Sequence, residues 1–197
     1  MTRKPSIPLI SIAGILVIIL YCSFTLISWA FYPDPYGPLT HYLSRLGNNN
    51  YNISGAIFYN LGCILTGLAL FPFFTGMKDW YLDSKAQKAV MVVGQIFGFA
   101  AGFALVMIGV FSEDMGSPHM LSSTTFFLLN FITLTIVNIA LLFNPKFMKP
   151  IAVYTFGINI LSLAFELWFG GPLIEWFTVF GSLIFVGLIS WNSMKLG

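Results

Sequence analysis

The chain has 197 residues, of which 57% are hydrophobic and only 8% charged, against roughly a quarter charged in an ordinary soluble domain. That composition excludes a soluble globular protein. Nine Lys and Arg against seven Asp and Glu leave a net charge of +2, too little basic surface to neutralise several phosphates, so nucleic acid is excluded as a partner.

The first apolar run, 8–30, follows the basic start Met1-Thr2-Arg3-Lys4 and imitates a signal peptide down to a small-x-small site at Ser28-Trp29-Ala30. It outlasts the roughly 7 to 15 residues of a signal core and reaches the ~20 needed to cross a bilayer, which predicts an uncleaved first span. Five further runs predict spans at 54–74, 89–111, 120–143, 151–169 and 173–191. Inside hydrocarbon every backbone polar group must be satisfied within its own segment, so these are helices. The expectation is an all-α integral membrane protein, a six-transmembrane-helix bundle forming a single transmembrane domain over 1–197. Cys22 and Cys63 both lie within apolar runs and read as small hydrophobes, not as a disulfide framework.

Between the first two spans, Tyr32-Pro33-Asp34-Pro35-Tyr36-Gly37-Pro38 is a non-helical opening. Leu39, Tyr42, Leu43 and Leu46 then recur at the spacing of one apolar helix face, which predicts a short interfacial helix ended by Gly47. Its polar side presents His41, Ser44 and Arg45. In the third span, Gly94, Gly98 and Gly102 form two overlapping GxxxG repeats, a face cleared for close backbone approach. Another span of the same chain is the favoured partner for that face, and a second copy, giving a homo-oligomer, is the alternative.

The loop before the fourth span reads Ser112-Glu113-Asp114-Met115-Gly116-Ser117-Pro118-His119. Its Gly and Pro allow the chain to fold back and bring Asp114 to His119. Alternatively, Ser112 or Asp114 caps the following helix. Along the fourth span, His119, Ser122, Ser123, Asn130 and Thr133 project within about 60° of one direction and should face the bundle interior. Asn130 and Asn138 read there as bonds between helices. Glu166 and Glu175 flank the Gly170-Gly171-Pro172 turn, either adding carboxylates to the same site or bonding the interfacial Trp168 and Trp176.

The cations set the orientation. Arg3, Lys4, Lys78, Lys85, Lys88, Lys146, Lys149 and Lys195 fall on one side and Arg45 alone on the other; the positive-inside rule then puts both termini in the cytoplasm of a multi-pass cell-membrane protein. Most of the acids and both histidines gather at the outer face. Ser44, His119 and Asp114 supply the nucleophile, base and orienting carboxylate of acyl-transfer chemistry. His41, Arg45, Glu113, Glu166 and Glu175 are the accompanying ligand-binding candidates. No GxSxG elbow and no HExxH motif occurs. No cofactor is expected; zinc held by His41, His119 and an acid is an alternative for which the sequence lacks ligand spacing.

The segments Thr40-His41-Tyr42-Leu43-Ser44-Arg45-Leu46-Gly47, Asn60-Leu61-Gly62 and Gly109-Val110-Phe111-Ser112-Glu113-Asp114 through His119 resemble a prokaryotic family of six-span membrane proteins catalogued as domain of unknown function 998. The resemblance runs over nearly the whole chain and implies a six-helix membrane protein, with no activity attached. Three functions remain open. The first is a protein that binds or processes a membrane lipid or amphiphile at the outer-face polar site, as a hydrolase or acyltransferase if catalytic. The second is a small-solute or proton-coupled transporter, and the third a structural or accessory membrane protein.

Overall fold

The computed structural model describes residues 7–195; Arg3 and Lys4, which entered the orientation argument, lie outside them. Six long helices follow one another: α1 (Leu9–Ala30), α2 (Ala56–Gly76), α3 (Lys85–Val110), α4 (Ser117–Leu142), α5 (Lys149–Trp168) and α6 (Pro172–Met194). All six are long and apolar enough to cross a membrane, and no strand occurs among the described residues. The protein is therefore an all-α polytopic membrane protein.

Helix ends and apolar runs obey different rules. The run marks what hydrocarbon tolerates, whereas the helix ends where a cap ends it. Thus α3 begins at Lys85, ahead of its apolar run, because the Ser84 hydroxyl accepts from the Gln87 backbone N–H at 3.4 Å, satisfying one of the donors exposed at a helix start. Past α2 the chain tightens into a 3₁₀ turn, Met77–Trp80, which carries the fully buried Trp80 into the core.

Each helix packs on the next in sequence and α6 returns to α1. The glycine face of α3 makes part of this possible. A Cβ on Gly94 would lie 2.7 Å from the Val137 side chain, one on Gly98 2.5 Å from the Phe74 ring, and one on Gly102 3.1 Å from the Gly67 carbonyl. Helices α2 and α4 of the same chain thus occupy the face read as the alternative surface for a second copy. The polar stripe of α4 turns inward as its spacing predicts: His119, Ser122 and Thr133 are buried. Asn130 donates to Ser182 Oγ on α6 at 2.9 Å and Asn138 to the Ala152 carbonyl on α5 at 3.0 Å. Both cysteines are free thiols.

The loop after α1 departs from its predicted form. Only Leu43–Gly47 is helical, as a 3₁₀ turn, and Thr40 and His41 donate their backbone N–H groups to Gly37 in a separate turn. Leu43 and Leu46 are fully buried while Leu39 is 79% exposed. The four-residue apolar face is therefore split. Pro38 and the Gly37 turn take Leu39 and Tyr42 out of helical register, and the shortened element tucks in as a plug across the ends of α1, α2 and α6.

Candidate functional site

Two loops close this end of the bundle and are sewn together by side chains. Arg45 Nε lies 3.2 Å from Glu113 Oε1, with the guanidinium stacked over the Tyr51 ring, 4.4 Å from its centroid. Asn48 donates to the other Glu113 oxygen. Asp114 Oδ1 accepts from the Asn49 backbone N–H at 3.1 Å and from its side-chain amide at 3.0 Å, and the same amide reaches Ser112 Oγ at 3.1 Å. Burial works against ionisation of Asp114, yet these hydrogen bonds outweigh it and hold the carboxyl below its usual range. Neither Ser112 nor Asp114 caps α4, whose N-cap residue is Gly116 at φ 70°, a backbone region that favours glycine. Both groups bind across to the first loop instead.

Asn52 pins the plug from below. Its amide reaches the Leu46 carbonyl at 2.9 Å and Ser28 Oγ at 3.0 Å, while Asn60 donates to the Gly47 carbonyl at 3.0 Å. On the far side, the Trp176 indole donates to the His41 carbonyl at 2.9 Å, and the His41 ring stacks on Tyr36 with centroids 4.9 Å apart. Burial, aided by the charge of Glu175, pushes the Tyr36 phenol well above its usual pKa. It therefore stays a donor, to the Tyr42 carbonyl at 2.6 Å.

The three residues read as a catalytic set are not joined by hydrogen bonds. Ser44 Oγ donates to Glu175 Oε2 at 3.4 Å and the Ser44 backbone N–H to Oε1 at 3.2 Å. His119 Nδ1 pairs with the Phe111 carbonyl at 2.7 Å, and Asp114 belongs to Asn49. Each therefore has a nearer partner than the others, and the pairing of Asp114 with His119 expected from the folded-back loop is absent. Of the accompanying candidates, Arg45 and Glu113 pair with each other, and His41 sits in the aromatic cluster. Glu166 is exposed on α5, away from the rest. Neither Glu166 nor Glu175 bonds a tryptophan among the described residues. Nor do any three His, Cys, Asp or Glu side chains there gather as a metal-holding group.

Glu175 is the carboxylate with a cavity in front of it. It sits in the first turn of α6. A cavity of about 10 Å3 is lined by Glu175, Tyr21, Tyr59, Ser123 and apolar neighbours, and the Tyr21 and Tyr59 hydroxyls bond each other at 3.2 Å. Deeper in the bundle, α1, α2, α3, α4 and α6 enclose a second cavity of about 60 Å3. Tyr21, Leu105, Phe126 and Val179 line both, so the two are neighbouring compartments with a common wall. Helix α5 contributes nothing to either.

Tyr21, Tyr59 and the Asn48-Asn49-Asn52 set were not singled out from the sequence. An amide cluster directly after Gly47 was the available signal for the last. The two tyrosines, buried in apolar helices, offered none.

Fold and site together define a six-helix polytopic membrane protein whose plugged end holds a carboxylate facing an internal cavity. The model of the family described as protein of unknown function (DUF998) matches residues 15–192. The chain belongs to that family. No curated protein and no solved structure matches it.

Proposed function

We propose that the protein binds the polar end of a membrane amphiphile at Glu175, beneath the plug. The observation that carries this reading is Glu175 itself, a carboxylate that lines a small cavity together with the Tyr21 and Tyr59 hydroxyls and is bonded by Ser44 from the plug. A carboxylate has about four lone-pair positions. Ser44 occupies two of them, and what remains faces the cavity and suits a donor such as an ammonium group. Binding, not acyl transfer, is the activity supported, because the Ser44 hydroxyl and the His119 ring are each engaged elsewhere.

The full chain purified in detergent, loaded with decylamine and examined by native mass spectrometry, tests the proposal. Wild type should retain one decylamine. Glu175→Gln, which keeps the shape and one oxygen to accept the Ser44 backbone N–H but loses the charge, should retain it about tenfold less well, as removal of a charge-assisted hydrogen bond implies. A wild type that retains no decylamine, or a glutamine variant that retains as much, overturns the reading.

A further inference from the structure

Three segments meet where Trp80 is buried. The Asn144 side chain donates to the Trp80 carbonyl, the Trp80 indole to Ser193 Oγ and the Met148 backbone N–H to the Asn192 side chain, which joins the loop after α2, the loop after α4 and the last turn of α6. Around this closure stand Lys78, Lys85, Lys88, Lys146, Lys149 and Lys195, all exposed. Asp79 and Asp83 are the acidic side chains of the same segments, so six positive charges against two leave four unbalanced. Neither aspartate pairs with a lysine. The one ion pair among the described residues joins Arg45 to Glu113 at the opposite end.

The fold does not account for these charges. Lys85 and Lys88 lie in the first turn of α3, which has no acidic residue, and there the helix dipole disfavours a cation. Of the six ammonium groups, that of Lys149 alone makes hydrogen bonds, to the Leu142 and Asn144 carbonyls. Two others lie over aromatic rings, Lys195 3.6 Å from the Trp191 centroid and Lys88 5.3 Å from that of Tyr81. Exposed apolar side chains adjoin them in the chain: Val92 and Val93 one turn along α3 from Lys88, Leu142 and Phe143 at the end of α4, and Trp191 itself. A polar group held at these lysines therefore borders apolar surface, which is how a lipid phosphate sits above its acyl chains.

We propose that this end of the protein is a docking surface for anionic phospholipids of the adjoining leaflet, whose phosphates are engaged by the lysines that lack a carboxylate partner. The attraction of basic residues beside a span for an anionic leaflet accumulates residue by residue, so the surface discriminates by the net charge of the lipid. It lies at the opposite end of the bundle from Glu175 and is independent of what is held there.

The test offers the full chain, in a non-ionic detergent, an equimolar mixture of phosphatidylglycerol and phosphatidylcholine with identical acyl chains, and reads the retained lipids by native mass spectrometry. Wild type should retain phosphatidylglycerol about tenfold over phosphatidylcholine. Lys85→Gln combined with Lys88→Gln and Lys146→Gln should bring the two lipids to within about twofold of each other. Arginine at the same three positions keeps the charge and should preserve the preference. Each single glutamine variant should give part of the fall, and serves if the triple variant does not fold. Arg45→Met, at the other end, should change nothing. Equal retention of the two lipids by wild type overturns the proposal. So does a preference that survives the triple glutamine variant, or one that falls as far in Arg45→Met, because the charge responsible would then lie elsewhere.

Discussion

At the end of the bundle built around Trp80, the Gln87 and Asn144 side chains both donate to the Trp80 carbonyl at 3.2 Å. The Trp80 indole donates to Ser193 Oγ at 2.9 Å, and Asn192 accepts the Met148 backbone N–H at 2.9 Å. At the other end Asn48, Asn49, Asn52 and Asn60 tie the loops in the same manner, but among Arg45, Glu113, Asp114 and Glu175. Neutral amides thus close both ends. Where the closure rests on a buried indole and buried amides, the fold depends on it. Where charges are added at partial exposure, each contributes little to stability.

Trp80→Ala should give the largest loss of stability. The side chain is fully buried, meets Phe147 edge to face with centroids 5.7 Å apart and carries the bond to Ser193. Truncation of such a residue costs about 3–5 kcal/mol, read as the fall in unfolding midpoint of the detergent-solubilised protein. Trp80→Phe keeps most of the packing, loses the indole donor, and should cost about 1 kcal/mol. Arg45→Met is the matching change at the plugged end. Both partners of its ion pair remain partly exposed, at 30% and 22%, so the loss should stay within about 1 kcal/mol. An Arg45→Met loss as large as that of Trp80→Ala would break the comparison, for the plugged end would then be as structurally committed as the other.

The same contrast explains what the sequence disclosed. Six spans were legible because hydrocarbon permits so few solutions, and the inward stripe of α4 because 100° per residue places Asn130 and Thr133 on one side. The glycine face of α3 was legible for a related reason, since only a missing side chain lets α2 approach Gly102. The pairing of Ser44 was not legible. Its partner Glu175 lies 131 residues away, and the choice between Glu175 and His119 is made by how α6 returns to α1, which no local pattern encodes. A serine, a histidine and an aspartate gathered at one end were the right inventory for a triad, and tertiary packing assigned each a different neighbour.

The smallest effect concerns Asp114 and separates its role from that of Glu175. Asn49 and Ser112 hold the Asp114 carboxyl below its ordinary value, so the folded state binds this proton less readily than the unfolded state, whose carboxyl titrates near ~3.9. By linkage, the stabilisation is fully present above the unfolded value and disappears as pH falls through the lowered folded one. The unfolding midpoint of wild type should therefore show a small extra decline below about pH 4. Asp114→Asn, which has no proton to take up, should lack that component, and Asn49→Ala, which removes the side-chain amide but keeps the backbone N–H and the Ser112 hydroxyl, should retain most of it. Because Asp114 is exposed and outside the cavity, none of these changes should alter decylamine retention at neutral pH. If Asp114→Asn abolishes retention while the protein stays folded, the carboxylate that matters is not Glu175 alone, and the two-loop seam is part of the binding site and not only its closure.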